Sequence, residues 1–272
     1  MGGWRLKGHA VVPFWRWVAS WARACRKPSD VGPGFDDARF VLPELSERHH
    51  VVKAARPPDG QLFTMPAFGL SEERDERRRT MRERCELVAA LCTSQDRHLV
   101  WCQLNQEGDL LEELIPGSVQ VSGADSEQFK EAAVEWFQGH ACVCGTPLFE
   151  KKFPAGECTC GYRSGRRVLV SKASIFGLGI NLQTCAHVVT FASHSWEDFY
   201  QCVRRCHRFG QTRPVTVDII STEGEIRVRD SMQRKSKQAA EMFAALVEHM
   251  RDATRIARHN DHTKEVTLPS WL

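Results

Sequence analysis

Residues 187–221 read HVVTFASHSWEDFYQCVRRCHRFGQTRPVTVDIIS. The two ends, His187–Ser193 and Pro214–Ser221, are short β-branched runs that stay apolar at successive positions. A half-solvated strand alternates apolar with polar residues, so this pattern predicts strands buried on both faces. Between them lies a helix carrying Arg204, Arg205, Arg208 and Arg213 within ten residues. A strand, a helix and a second strand of this kind predict a βαβ unit with parallel strands.

The same rhythm extends upstream. His98–Leu104 (HLVWCQL), Ser118–Gly123 (SVQVSG) and Arg166–Lys172 (RRVLVSK) read as strands, and Glu107–Ile115 and Asp125–Gln138 read as helices. The fold expected is α/β: a parallel sheet with helices on both faces, and a ligand site at the carboxyl ends of its strands. Ser71, a good N-cap, opens a charged helix reaching Cys92, with acids in its first turn. Pro13–Arg26 reads as a helix with Phe14, Trp17, Val18 and Trp21 on one face. Pro and Gly break it at Lys27–Asp37, and residues 40–69 read as an irregular connector. From Glu225 to about Ala257 the chain reads as one long helix or two.

Composition narrows the classes. With 42% hydrophobic residues over 272 positions the chain can bury a sizeable core, and a net charge of +3 makes any nucleic-acid partner a matter of local patches. No run approaches the ~20 apolar residues of a membrane helix, and the Trp- and Arg-rich start does not read as a signal peptide. A cytoplasmic protein is expected. Seven of the eleven cysteines are scattered through apolar segments, where a reduced thiol acts as a small hydrophobe.

Two motifs carry chemistry. After the strand ending in Ser171 and Lys172 comes a turn with Gly177, Gly179, Asn181 and Leu182, where glycines allow close backbone approach. In the second motif Gln201, Arg205 and Arg208 are spaced by four and three, which puts them on one helical face, while Arg204 points elsewhere. Guanidinium forks on one face suit phosphate oxygens. A solvated basic helix is the plainer alternative for the arginines alone.

Together SKASIFGLGINLQ (171–183) and SWEDFYQCVRRCHRFGQTRPVTV (195–217) resemble motifs V and VI of superfamily-two helicases in the Swi/Snf-like branch. HLVWCQLNQEGDLLEELI resembles motif IV, and VQVSGADSEQFKEAAVEWFQ the segment after it. The start, from Trp4 to Gly32, resembles the end of the first lobe in phage and prophage helicases of this branch, and LPSWL resembles their C-terminus. The resemblance implies a RecA-like second lobe, with ATP and Mg²⁺ held in a cleft against a first lobe. By carry-over Arg205 and Arg208 are candidate arginine fingers, and Gln201 positions them or the attacking water. Gly177, Gly179 and Asn181 link the nucleotide cleft to the nucleic-acid track, and Ser171 and Lys172 contact the bound strand, most readily DNA. No Gly-Lys-Ser or Gly-Lys-Thr occurs, and no Asp-Glu pair follows an apolar strand. The expectation is half of an ATPase, inactive until a first lobe joins it in cis or in trans. A non-catalytic nucleic-acid-binding module and a truncated remnant are the rivals.

Residues 139–165 hold the other four cysteines: Cys142 and Cys144, then Cys158 and Cys160, each pair followed by Gly. Four thiolates suit tetrahedral Zn²⁺, so a zinc-ribbon-like insertion is expected. The spacing is Cys-x-Cys where ribbons usually read Cys-x-x-Cys, and His140 is a possible substitute ligand. Unrelated reduced pairs, or disulfides, are the alternative. Arg163, Arg166 and Arg167 are expected to extend a phosphate-contacting surface. The organisation expected is therefore 1–69 as the end of a first lobe and connector, 70–139 and 166–257 as the RecA-like lobe, 140–165 as the insertion, and 258–272 as a tail.

Overall fold

Among the described residues six strands pair into one sheet in the order β1-β6-β5-β2-β4-β3, and each of these pairings is parallel. They are β1 Leu45–Val52, β2 Arg97–Cys102, β3 Val119–Val121, β4 Arg167–Lys172, β5 His187–Phe191 and β6 Val215–Thr222. The structure is a computed structural model and describes residues 7–32, 34–54, 67, 69–156, 158–176 and 179–257. The expected tail, 258–272, lies outside them, as do Gly177 and Leu178. The helices are α1 Gly8–Trp21, α2 Leu70–Arg79, α3 Met81–Leu91, α4 Asn105–Leu114, α5 Glu127–Gln138, α6 Ala173–Phe176, α7 Trp196–Arg204 and α8 Ile226–Ala257. No described helix is long and apolar enough to cross a membrane.

The chain divides into two compact units, residues 42–234 and residues 1–41 with 235–272. In the second of these, α1 brings Phe14, Trp17 and Trp21 into ring contact, Trp17 meeting Trp21 edge to face, and Arg26 lies over the Phe243 ring at 4.0 Å. The helix begins at Gly8, earlier than expected, and ends at Trp21, short of Arg26.

The larger unit is an α/β RecA-like sheet with helices on both faces. On one face Leu99, Trp101, Leu169, Val217 and Ile219 pack against Trp136 and Phe137 of α5 and Phe199 and Val203 of α7. On the other Val100, Val168, Val170, Val189 and Ile220 pack against Cys85 and Val88 of α3 and Leu111 of α4. Apolar residues at successive positions therefore serve two cores, as the runs in the sequence predict.

Two elements depart from expectation. Leu45–Val52, inside the expected connector, is a full strand paired with β6 along eight residues. Polar contacts anchor it: Arg48 and His50 both reach Asp218, at 2.6 Å each, and His187 shares the carboxylate oxygen Oδ2 with Arg48. Burial opposes ionisation of Asp218, but these cationic and imidazole partners hold its carboxyl well below the usual range. The charged helix expected from Ser71 is two helices broken at Thr80, and Gly69, not Ser71, stands at the N-cap. The break serves Arg84. This side chain is fully buried, lies 2.8 Å from the equally buried Glu107, and donates to the Arg77 carbonyl and the Thr80 hydroxyl.

Glu107 in turn accepts the amides of Gln103 and Leu104 at 2.8 and 2.9 Å, so one carboxylate fixes the turn after β2. Glu107→Ala strands a buried guanidinium and is expected to destabilise the chain by ~3–5 kcal/mol. Urea unfolding followed by tryptophan fluorescence checks this. A loss below about 1 kcal/mol, as for exposed pairs, contradicts it.

Candidate functional site

The candidate residues fall at opposite edges of the sheet. At the carboxyl ends of β2, β4 and β5 a cleft of ≈ 310 Å³ is lined by Gln103, Lys172, Ser174, Ser193 and Asp198, among others. Gln103 is held there by donating to the Phe191 and Ala192 carbonyls at 3.2 and 2.9 Å. Lys172 is half-buried and makes no hydrogen bond or ion pair with a described residue. Ser171 beside it points into the sheet, fully buried, with its hydroxyl donated to the Val121 carbonyl at 2.9 Å. Of the two, only Lys172 offers a polar group to this cleft.

The arginines of α7 lie at the other edge. The helix starts after the carboxyl end of β5 and runs back along the sheet, so its last residues reach the amino ends of the strands. There the Arg205 carbonyl accepts Leu182 N–H at 2.8 Å, and Gln211 donates to the Cys185 carbonyl at 2.9 Å. Arg213 meets Asp96, just before β2, at 2.6 Å. The expected ligand site at the carboxyl ends of the strands therefore does not include the arginine motif. The parallel βαβ crossover returns the chain to the amino edge before Val215. α7 also ends at Arg204, with Arg205 as its C-cap and Arg208 in the turn beyond, so helical spacing does not set Arg208's direction.

A different set of contacts brings the two arginines together. Arg205 donates to Gln201 Oε1 at 3.1 Å and to the Ile180 carbonyl at 3.3 Å. Arg208 donates to Asn181 Oδ1, and Gln138, the last residue of α5, donates to the Asn181 carbonyl at 2.6 Å. Burial, and then the Arg208 charge, keep the Arg205 guanidinium below its ordinary value. Gly179 adopts φ +85°, a left-handed conformation suited to glycine. Gly177 lies outside the described residues. Arg204 faces away, over the Tyr200 ring at 5.1 Å. Gln138 had no sequence signal: a glutamine ending a helix is ordinary, and only the fold sets it against Asn181.

Arg167 opens β4 and Arg166 precedes it, at the end opposite Lys172. Arg166 donates to the Cys92 and Pro116 carbonyls, and Arg167 is buried. Burial closes Arg167 to an external phosphate, whereas Arg166 is half-buried and Arg163 exposed.

The four cysteines of the insertion converge. Their sulfurs all lie within 4.8 Å of one another, with Cys142–Cys158, Cys142–Cys160 and Cys158–Cys160 at 3.7, 3.6 and 3.7 Å. Zn–S bonds of about 2.3 Å in a tetrahedron place sulfurs about 3.8 Å apart, whereas a disulfide needs about 2.0 Å. The donor set fits zinc and leaves no open position, which marks a structural site. His140 is exposed and outside the cluster. Gly145 and Gly161, each following a pair, have φ +76° and +74°, which turns the chain back over the sulfurs. Burial pushes Cys160 up to about 12. At Cys158 burial also acts upward, but the Arg163 amide and the neighbouring thiols outweigh it and bring this thiol to about 7.

The insertion is built into the lobe. Phe149 stacks on Phe129 of α5 at 4.5 Å, Phe149 and Phe153 join the core on that face, and Trp136 Nε1 donates to the Cys160 carbonyl at 2.9 Å. Lys152 pairs with Glu112 of α4.

No protein-family model matches the sequence, and no curated protein matches it. A similar solved structure is the crystal structure of the C-terminal part of the Fun30 ATPase domain, at 18% identity, 55% coverage of this chain and a TM-score of 0.41. The match covers 45% of that chain. The fold described here rests on strand order and packing, not on this likeness.

Protein purified without chelator is expected to carry one zinc per chain, and the Cys142→Ser, Cys160→Ser double variant none. Atomic absorption decides; a wild-type chain without stoichiometric zinc contradicts the site.

Proposed function

We propose that this chain is the second RecA-like lobe of an ATP-dependent nucleic-acid motor of the Swi/Snf-like branch, of the phage and prophage type, carrying a zinc-holding insertion. The observation that supports it most is the contact set at the amino edge. Gln201 and the Ile180 carbonyl hold Arg205, and Asn181 holds Arg208, so the arginines of one motif are tied to the glycine–asparagine segment of the other.

In this reading the two guanidinium groups face a nucleotide held by a first lobe, in cis or in trans. That lobe brings the phosphate loop and the acids for Mg²⁺, neither of which occurs in the 272 residues. ATP bound there supplies the phosphoryl group. Arg205 exchanges the Ile180 carbonyl for a phosphate oxygen, a charge-assisted bond stronger than the neutral one it leaves. Placed beside the transferring phosphoryl, the charges of Arg205 and Arg208 stabilise the negative charge that develops as the bond to the leaving oxygen breaks. Gln201 keeps Arg205 aligned.

At the carboxyl edge the unpaired Lys172 ammonium suits a backbone phosphate of DNA. The 173–186 segment leaves that edge and ends against Arg205 and Arg208, which gives a route by which DNA contact and phosphoryl transfer affect each other. Such a motor works in the bacterial cytoplasm.

In a preparation that contains a first lobe, Arg205→Ala is expected to lower DNA-stimulated ATP turnover by about 10³-fold or more while DNA affinity is kept. DNA affinity lost with no turnover to lose identifies instead a phosphate-binding module without ATPase chemistry.

A further inference from the structure

Two guanidinium groups lie side by side inside the lobe without a carboxylate. Arg167 is 4% exposed. Its Nη2 donates to the Tyr162 carbonyl at 2.8 Å, and the group lies over the Tyr162 ring, 4.9 Å from its centroid. Its Nε and Nη1 are buried and have no hydrogen-bond partner. Arg97, its register partner on β2, donates to the Gln138 and Thr184 carbonyls at 3.3 and 3.5 Å, and its Nε is likewise buried and unsatisfied. A Cβ placed on Gly139 would lie 2.6 Å from Arg97 Nη2 and 3.2 Å from Arg167 Nη1, so both charges crowd one point. Neither forms an ion pair with a described acid, and Asp96, adjacent in sequence, is taken by Arg213.

Burying like charges together is costly unless an opposite charge stands near. An external phosphate does not answer the need, because the unsatisfied atoms have no exposed surface. The four sulfurs do. Tyr162, which Arg167 grips, follows Cys160 by two residues. Four thiols that take up Zn²⁺ release four protons and leave a centre of net charge about −2, matched by the two arginines. We infer that Arg167, with Arg97 beside it, is the counter-charge of the cysteine metal centre and sets how tightly the four sulfurs hold zinc. Burial and then Arg97 draw the Arg167 guanidinium below its ordinary value, while Cys160, Tyr162 and Cys158 act the other way.

The inference rests on the four cysteines being a metal site, and the test separates the two. Zinc affinity of the full 272-residue chain is measured by competition with a chromogenic chelator, and the Co²⁺-substituted protein is examined by absorption. Arg167→Gln is expected to weaken zinc by about 10–100-fold, the range for partners just outside the ligand shell, and Arg97→Gln to weaken it less. In Arg167→Gln the thiolate-to-cobalt charge-transfer band moves to lower energy, because the sulfur lone pairs lose a stabilising charge, while the ligand-field bands keep tetrahedral intensity. A merely structural role does not move the first band alone. If the wild-type chain binds no zinc, the metal site itself fails and the inference with it. If the wild type binds zinc and both variants keep its affinity and band energy, only the inference is overturned. If Arg167→Gln does not fold, Arg97→Gln decides by the same readouts.

Discussion

Parallel pairing of all six strands is the constraint from which the rest follows. A parallel neighbour cannot be reached by a hairpin, so every connection must cross a face of the sheet. The crossings bury both faces and require strands that are apolar at successive positions. They also sort the loops into two groups. Lys172 and Gln103 stand at the carboxyl ends of the strands, and Arg205, Arg208 and Arg213 at the amino ends. The segment 173–186 belongs to both: it starts at the Lys172 edge with α6 and finishes where Leu182 and Asn181 meet the arginines.

Buried charge is used in this lobe to fix turns and edges. Glu107 pairs with Arg84 and at the same time caps the turn after β2, which sets one wall of the carboxyl-edge cleft. Asp218 gathers Arg48, His50 and His187 and so holds the outer strand β1. Such groups add little net stability when complete but leave a severe penalty when one partner is removed. The insertion follows the same logic from another direction. Its sulfurs converge on a metal-sized tetrahedron, while Phe149, Phe153 and the Trp136–Cys160 hydrogen bond attach it to α5. Because α5 ends in Gln138, which grips Asn181, the insertion and the arginine site share one helix.

Much of this was legible in the sequence where a side chain's chemistry and its neighbours in sequence suffice. The runs at 167–172, 187–191 and 215–222 are strands, and the spaced cysteines meet. What escaped depends on contacts between distant residues. Strand β1, LSERHHVV, has no apolar alternation: it is a mostly exposed edge strand whose Arg48 and His50 answer Asp218. The break at Thr80 is invisible to periodicity because it serves Arg84. Spacing put Arg208 on a helical face, but the helix stops at Arg204. Arg167 looked like a phosphate ligand because charge is visible in a sequence and burial is not.

In the proposed motor, the 173–186 segment couples a DNA-contacting edge to an arginine edge. Amide hydrogen exchange of the chain, with and without a short DNA duplex at low salt, tests it most directly. The account predicts slowed exchange at residues 172–176 together with a change at 179–186, where Leu182 N–H is bonded to the Arg205 carbonyl. Protection confined to the carboxyl-edge loops, or no change in either segment, contradicts it.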